Sequence, residues 1–116
     1  MGRSLQSELS VICYHVTKEF PREEQFGPVS QMRRAAVSVA SNIAEGAARA
    51  GSKEFVQFLY ISLGSASELD TQIEIAKRIG LVDSSALERL QLQTNMVGRM
   101  LQGLIHSVKK RNAKTQ

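Results

Sequence analysis

The residues that decide the fold lie between positions 20 and 69, where the chain reads FPREEQFG at 20–27, QMRRAAVSVASNIAEG at 31–46 and KEFVQFLYISLGSASEL at 53–69. The second and third segments each contain a run of small residues at helical spacing. These residues are Ala35, Ala36, Ser38, Ala40, Ser41, Ala44 and Gly46 in one run, and Ser62, Gly64, Ser65, Ala66 and Ser67 in the other. Because small side chains let two helix axes approach closely, the pattern predicts a tight helix pair.

Apolar residues at steps of three and four continue on both sides of this pair and predict four helices in all. The expected helices run from about Ser4 to Glu19, from about Pro28 to Ala48, from Lys53 to Ile79, and from the caps offered by Asp83, Ser84 and Ser85 through Val108. Proline at position 21 ends the first helix, since the residue before proline is disfavoured in helical geometry. Ser52 is the expected N-cap of the third helix, and Gly80 its C-terminal stop. Ser85 and Glu88 have capping-box spacing.

The fold predicted from these helices is an all-α, up-down-up-down antiparallel four-helix bundle with left-handed packing. We expect residues 1–108 to form this single domain and residues 109–116 to form a basic, disordered tail. A continuous coiled coil is the lesser alternative, because each of the three turns carries a proline, a glycine or a cap.

Length and composition limit the class of protein. The chain has 116 residues, enough for one domain, and no apolar run approaches the roughly 20 residues that a membrane span needs. The first residues show no apolar core of a signal peptide. Cys13 is the single cysteine and is expected to be a buried thiol. We therefore expect a cytoplasmic protein that is not associated with a membrane.

The positive charge is concentrated near one end of the sequence. The chain has 15 Lys and Arg against 11 Asp and Glu, and residues 109–116 contain four of the positive residues and none of the negative ones. Basic clusters neutralise phosphates, which provides affinity for nucleic acid without sequence selectivity. The candidate nucleic-acid-binding residues are Arg33, Arg34, Arg49, Lys109, Lys110, Arg111 and Lys114.

A purely structural interpretation of the same charges stays open. Cations at a helix C-terminus also favour the helix dipole, so the terminal cluster is typical of a solvated helix end. The chain has no Trp, and its phenylalanines fall on or beside the apolar stripes, so the sequence does not predict a stacking platform for single strands.

No catalytic or metal-binding pattern stands out. A di-iron bundle would need Glu-x-x-His pairs, but Ile12 precedes His15 and Gly103 precedes His106 by three positions. Glu45 and Glu68 are conceivable as an acid and base pair, although pairing with arginines or a neighbouring subunit is the favoured interpretation. We group the polar residues near the tight faces as a structural network or subunit interface, comprising Gln31, Asn42, Glu45, Tyr60 and Glu68. No catalytic residue, cofactor or small-molecule substrate is predicted.

Three segments, FPREEQFG, SQMRRAAVSVASNIAEG and FVQFLYISLGSASEL, resemble the four-helix-bundle family of 23S rRNA intervening sequence proteins. The accessory protein of diversity-generating retroelements is a more distant relative. The resemblance implies a small bacterial protein that forms a homopentamer, is not an enzyme, and binds RNA or a protein that handles nucleic acid. Many relatives have proline where this chain has Ala40, and leucine or isoleucine where it has Pro28.

The sequence thus leaves two functional hypotheses. In the first, a homo-oligomeric bundle binds RNA or a nucleoprotein through its basic surface and tail. In the second, the bundle is a protein-interaction scaffold, and its basic residues serve solubility and subunit pairing.

Overall fold

The computed structural model describes the backbone of residues 4–115 and the side chains of residues 4–113. Within this range the chain forms four helices and no strand, with α1 at Leu5–Thr17, α2 at Ser30–Ala47, α3 at Ser52–Ile79 and α4 at Ser84–Thr115. The helices pack into an elongated bundle of about 52 × 26 × 20 Å. The prediction of an all-α four-helix bundle is confirmed.

Neighbouring helices in the bundle are antiparallel. The Ser10 hydroxyl of α1 donates to the Ala36 carbonyl of α2 at 3.2 Å, and Lys77 of α3 donates to Gln91 of α4 at 3.1 Å. The Gln93 amide of α4 reaches the Leu5 carbonyl at 3.2 Å, which closes the bundle between its first and last helices. The connections therefore run up, down, up and down.

The apolar stripes form one continuous core. Its largest fully buried side chains are Leu9, Val29, Met32, Val39, Leu59, Leu69, Ile73, Leu87, Leu90, Val97, Leu101 and Val108. The three buried hydroxyl side chains of the described residues, Thr17, Ser62 and Thr94, each donate to a backbone carbonyl at 2.7 to 2.8 Å. These bonds offset the cost of removing the hydroxyl groups from water.

Helices α2 and α3 approach most closely along a line of small residues. The Ser62 hydroxyl of α3 donates to the Val39 backbone carbonyl of α2 at 2.8 Å, so a two-atom side chain spans the gap between the helices. The hydroxyls of Ser38 and Ser65 lie 2.9 Å apart. A Cβ atom at Gly46 would lie only 2.7 Å from the Cβ of Phe58. We call this line of contacts the α2–α3 seam, and it confirms the predicted tight pair.

Only part of each small-residue run belongs to the seam. Ser41 and Ala44 of α2 and Ser67 of α3 are exposed, and a Cβ atom at Gly64 would meet nothing within 4 Å. The helical period explains the division, because residues three or four apart share a face whereas the intervening ones face solvent. The inference that both whole runs form the seam was therefore too broad.

The helix ends agree with the prediction at Gly80 and differ from it at the start of α3. Gly80 has a φ of 79°, the left-handed conformation that glycine adopts at helix C-termini. At the start of α3, Gly51 is the N-cap and Ser52 is the first helical residue. Before α4, the Asp83 carboxylate accepts from the backbone N–H and hydroxyl of Ser85, so Asp83 is the cap among the three candidates Asp83, Ser84 and Ser85.

The connection between α1 and α2 is more structured than predicted. It contains a 3₁₀ turn at Arg22–Glu24 and a π-helical turn at Gln25–Val29, and α2 begins at Ser30 rather than at Pro28. Gly27 has non-helical backbone angles of φ −120° and ψ −105°, which breaks the path into α2. The side chain of Phe26 beside it is 100% exposed, although we had placed the phenylalanines on or beside the core stripes.

The structure also differs from the prediction at the end of the chain. We expected residues 109–116 to be disordered, but α4 continues through Thr115. The physical reason is helix propensity, because residues 109–115 contain no glycine or proline. Four residues with high helix propensity precede Lys114, namely Lys109, Lys110, Arg111 and Ala113. The division of the chain into a bundle and a tail at residue 108 stays a prediction.

The close contact at Gly46 predicts that replacing this glycine by alanine lowers the free energy of unfolding, although helix propensity alone would raise it. Replacement by alanine (Gly46→Ala) places a methyl group against the Cβ of Phe58, which belongs to the α3 framework. Overpacking costs about 1–3 kcal/mol, whereas alanine exceeds glycine in helix propensity by at most about 1 kcal/mol. We expect urea unfolding to show a net decrease in the free energy of unfolding on the order of 1 kcal/mol.

The matched control is Gly64→Ala on the exposed side of α3, where an added Cβ has open space. This variant should be more stable than the parent chain by up to about 1 kcal/mol, since only the propensity term applies. Equal or greater stability of Gly46→Ala would contradict the close approach at the seam.

Candidate nucleic-acid interface

Positive side chains gather at the end of the bundle where α2 ends, α3 begins and α4 ends. Lys53 and Lys109 line the same surface groove. The start of α3 therefore lies beside the last turns of α4. We call the cluster the basic end, and its described members are Arg49, Lys53, Lys109, Lys110 and Arg111. Residues 45–54 and 105–113 supply only two carboxylates, those of Glu45 and Glu54. The side chain of Lys114 lies outside the described residues.

Lys109 is tied to an aromatic side chain of the neighbouring helix. Its ammonium group donates to the Tyr60 hydroxyl at 3.2 Å and lies 5.5 Å from the centroid of the Tyr60 ring. Tyr60 itself is half exposed, so its ring does not lie on a packed face as the sequence had suggested. One cation and one exposed ring thus share a position on the outer surface of α3 and α4.

Arg49 forms an ion pair with Glu45, and the geometry of this pair is that of a surface contact. Its guanidinium lies 2.7 Å from the Glu45 carboxylate and 5.1 Å from the centroid of the Phe58 ring. Both charged side chains are about half exposed, so the pair contributes only about 0.3–0.5 kcal/mol. Glu45 therefore partially neutralises Arg49 instead of binding Arg33 or Arg34.

Arg33 lies towards the opposite end of the bundle and is engaged within the subunit. Its Nε donates to the Thr17 hydroxyl at 2.8 Å, and its Nη2 reaches the Tyr14 carbonyl at 3.4 Å. The guanidinium also stacks over the Tyr14 ring, 4.4 Å from its centroid. These contacts join α1 to α2, which gives Arg33 a structural role in the subunit.

Arg34 lines a polar notch between α2 and α3. The notch has a volume of about 330 Å³ and is bordered by Gln31, Arg34, Ala35, Ser38, Ser65 and Glu68. Beside it, the Asn42 amide donates to the Ser38 carbonyl at 2.8 Å and to the Ser38 hydroxyl at 3.0 Å. Asn42, Ser38 and Ser65 thus form a hydrogen-bonded chain across the seam.

The candidate residues are therefore distributed over three places. From Arg34 to the end of α2 is 13 residues, or roughly 20 Å at the helical rise per residue, so Arg33 and Arg34 are remote from the basic end. Of the predicted polar network, Gln31, Asn42 and Glu68 lie at or beside the notch. Glu45 and Tyr60 belong to the basic end. The role of all these residues in binding stays a prediction.

The acid and base pair considered from the sequence does not converge. Glu45 pairs with Arg49, whereas Glu68 accepts from the Gln72 amide at 3.3 Å within α3. Tyr60 lines a different groove from Glu68. The three side chains therefore do not share a pocket in which to act on one substrate.

The lone thiol is not poised for chemistry. Cys13 is buried in the core, and burial raises its pKa to about 12, a shift that the positive charge of Arg33 opposes only in part. A thiol with this pKa is protonated at neutral pH, and the thiolate is the nucleophilic form.

Within residues 4–113, no three His, Cys, Asp or Glu side chains are grouped so that they could hold a metal ion. No helix in the described part of the chain is both long and apolar enough to cross a membrane.

The exposure of two aromatic side chains, those of Tyr60 and Phe26, was not predicted from the sequence. Tyr60 directly follows Leu59 of the buried stripe, and one residue is about 100° of helical rotation, so periodicity alone could have placed it off the core face. Phe26 offered no such signal, because it lies in an irregular connection where periodicity does not apply.

The fold and its charge distribution define the class: this is an antiparallel four-helix bundle with one basic end. The model of the 23S rRNA-intervening sequence protein family matches residues 4–103, and the chain belongs to that family. No curated protein matches the chain. The cations Lys109, Lys110 and Arg111 lie beyond the matched region.

A solved structure supports the fold. The crystal structure at 1.70 Å resolution of a protein with unknown function from the S23 ribosomal protein family, from Bacteroides thetaiotaomicron VPI-5482, has a TM-score of 0.81 to this chain. The two sequences are 20% identical, and the alignment covers 87% of this chain and 94% of the other. At this level of identity, the similarity is one of fold.

Proposed function

We propose that this chain is a cytoplasmic, non-enzymatic homo-oligomer that binds RNA through its basic end. The observation that carries the proposal is the concentration of Lys and Arg side chains where the start of α3 meets the end of α4. Five described cations face two carboxylates in these segments, and one carboxylate, Glu45, is already paired with Arg49. Such a surface neutralises phosphates and attracts a polyanion over a distance of several ångströms.

The family supports RNA as the polyanion. Its name connects it with intervening sequences of 23S rRNA. Phosphate contacts by lysine and arginine provide affinity without reading a base sequence, so the basic end alone defines a class of ligand rather than one RNA.

The non-enzymatic part of the proposal rests on the dispersed polar groups. General acid–base catalysis needs its groups within hydrogen-bond reach of one reacting centre. Glu45, Glu68 and Tyr60 are each bonded to a different partner and do not line one cavity.

Self-association is supported by apolar side chains that the isolated subunit leaves in water. Phe26 is fully exposed, and Ile75 and Ile79 of α3 are more than half exposed. A contiguous surface of such residues is typical of an interaction site, and the proposal is that these three residues contribute to one. The family resemblance suggests a pentamer, in which several basic ends would act together and convert weak phosphate contacts into high avidity.

The first prediction concerns RNA binding. Fluorescence anisotropy with a labelled RNA hairpin carrying single-stranded flanks should show binding that weakens strongly between about 50 and about 200 mM salt. Replacing three cations together (Lys109→Gln, Lys110→Gln, Arg111→Gln) should weaken binding on the order of tenfold at the lower salt concentration. The slope of log affinity against log salt should decrease by about 2, since each single-strand phosphate contact contributes about 0.7.

The matched control removes the same charge elsewhere, with Arg78→Gln, Arg89→Gln and Arg99→Gln, three exposed arginines outside the basic end. This control should change affinity much less. Equal losses in the two triple variants would contradict a localised interface. Absence of salt-sensitive RNA binding would contradict the function itself and favour the alternative, a scaffold that contacts only proteins.

The second prediction concerns assembly. Phe26→Ser removes a ring that is fully exposed in the subunit, so the subunit fold should be retained. Size-exclusion chromatography with light scattering should find an oligomer for the parent chain and a smaller species for Phe26→Ser. Phe26→Tyr keeps the ring and should retain the parent mass.

Circular dichroism of Phe26→Ser verifies that the helices persist. A parent chain that is monomeric at micromolar concentration would refute the homo-oligomer. If the oligomer mass of Phe26→Ser equals that of the parent chain, Phe26 does not contribute to the subunit interface.

A further inference from the structure

The outer groove between α3 and α4 at the basic end combines an apolar lining with a cationic rim. Its volume is about 660 Å³. The apolar lining includes Leu63 and Ile105, and the polar rim includes His106, Lys109 and Lys110. Tyr60 lines the same groove with a ring that is 48% exposed.

We infer that this groove binds a nucleotide of single-stranded RNA, with the base stacked on Tyr60 and the adjoining phosphates on Lys109 and Lys110. The inference rests on the proposed RNA-binding function and specifies its ligand. Proteins that bind single strands without sequence preference combine a basic track for the backbone with aromatic rings on which bases stack. Both components are present here within one groove.

The apolar part of the groove decides between single-stranded and duplex RNA. Bases in a duplex are stacked on one another and are not available to an exposed ring, whereas bases in loops and single strands are. A surface that recognised only duplex phosphates would need the cations but not the apolar lining. The exposed ring of Tyr60 and the apolar edges of Leu63 and Ile105 that line the groove fit an unstacked base.

Lys109 lies beside Tyr60, at the position that the phosphate next to a stacked base would occupy. Its ammonium now contacts the Tyr60 hydroxyl at 3.2 Å and the ring at 5.5 Å from the centroid. A phosphate is the stronger acceptor for an ammonium group, because its oxygens carry a negative charge whereas the phenol oxygen is neutral. Entry of a nucleotide therefore exchanges the phenol contact of Lys109 for a phosphate contact.

A second groove continues the track on the other side of Lys109. It has a volume of about 440 Å³ and is lined by Lys53, Val56, Gln57, Lys109, Asn112 and Ala113. Lys109 lines both grooves, so a strand that leaves the Tyr60 groove past Lys109 meets a further cation at Lys53. The two grooves together form a continuous path for a strand longer than one nucleotide.

Tyr14 provides an internal comparison. It is 44% exposed and also carries a cation over its ring, but that cation, Arg33, is fixed by hydrogen bonds to Thr17 and the Tyr14 carbonyl. Tyr14 also lies away from the basic end. A base-stacking role that depends on the basic end should therefore be specific to Tyr60.

The chain has two tyrosines and no tryptophan, so each tyrosine can be made the sole strong intrinsic fluorophore. Tyr14→Phe leaves Tyr60, and Tyr60→Phe leaves Tyr14. Titration with oligouridylate of about 12 nucleotides, within the usual site sizes for single strands, should quench the emission of Tyr14→Phe and leave that of Tyr60→Phe unchanged after identical absorption correction. A duplex of the same length should quench neither.

Affinity for labelled oligouridylate gives the second readout. Tyr60→Ala should bind at least about fivefold more weakly, since stacking on one aromatic ring contributes about 1–3 kcal/mol, whereas Tyr60→Phe and Tyr14→Ala should bind like the parent chain. If RNA binding is salt-sensitive but the fluorescence of Tyr60 is not quenched and Tyr60→Ala binds like the parent chain, the proposed nucleotide groove is wrong. RNA binding itself would still be supported by that result. If the parent chain binds no RNA at all, both the RNA-binding function and the nucleotide groove are wrong. Equal quenching by duplex would overturn the preference for single strands.

Discussion

The close approach of α2 and α3 is the constraint on which the rest of the structure depends. A serine hydroxyl reaches the backbone of the opposite helix at Val39, and Gly46 leaves no room for a methyl group against Phe58. Side chains this small cannot interdigitate at a larger separation, so the contact fixes both the distance and the register of the two helices. Helix α4 then packs along α3, and α1 closes the bundle against α2 and α4.

This register also determines where charge accumulates. Since α3 and α4 are antiparallel and long, with 28 and 32 residues, the first turns of α3 meet the last turns of α4. Lys53 therefore comes to lie in the same groove as Lys109, more than 50 positions later in the chain.

The sequence predicts the fold better than the candidate site, for physical reasons. The stripes of α3 and α4 follow the helical period without interruption, and Gly80 marks a helix end through its backbone conformation. The connection around Gly27 and Phe26 has no period to follow, and its exposed ring depends on tertiary geometry. The groove at Tyr60 is likewise formed by two segments far apart in sequence, so the sequence assigned Lys109 and Tyr60 to separate sets and did not predict that they are neighbours.

Photo-crosslinking with 4-thiouridine-substituted single-stranded RNA measures whether RNA lies on the basic end. Mass spectrometry of the crosslinked peptides should locate the attachment points within residues 53–63 and 105–113, the two segments that line the grooves around Lys109. Crosslinks confined to residues 14–37, around Tyr14 and the polar notch, would contradict the account, as would the absence of any specific crosslink.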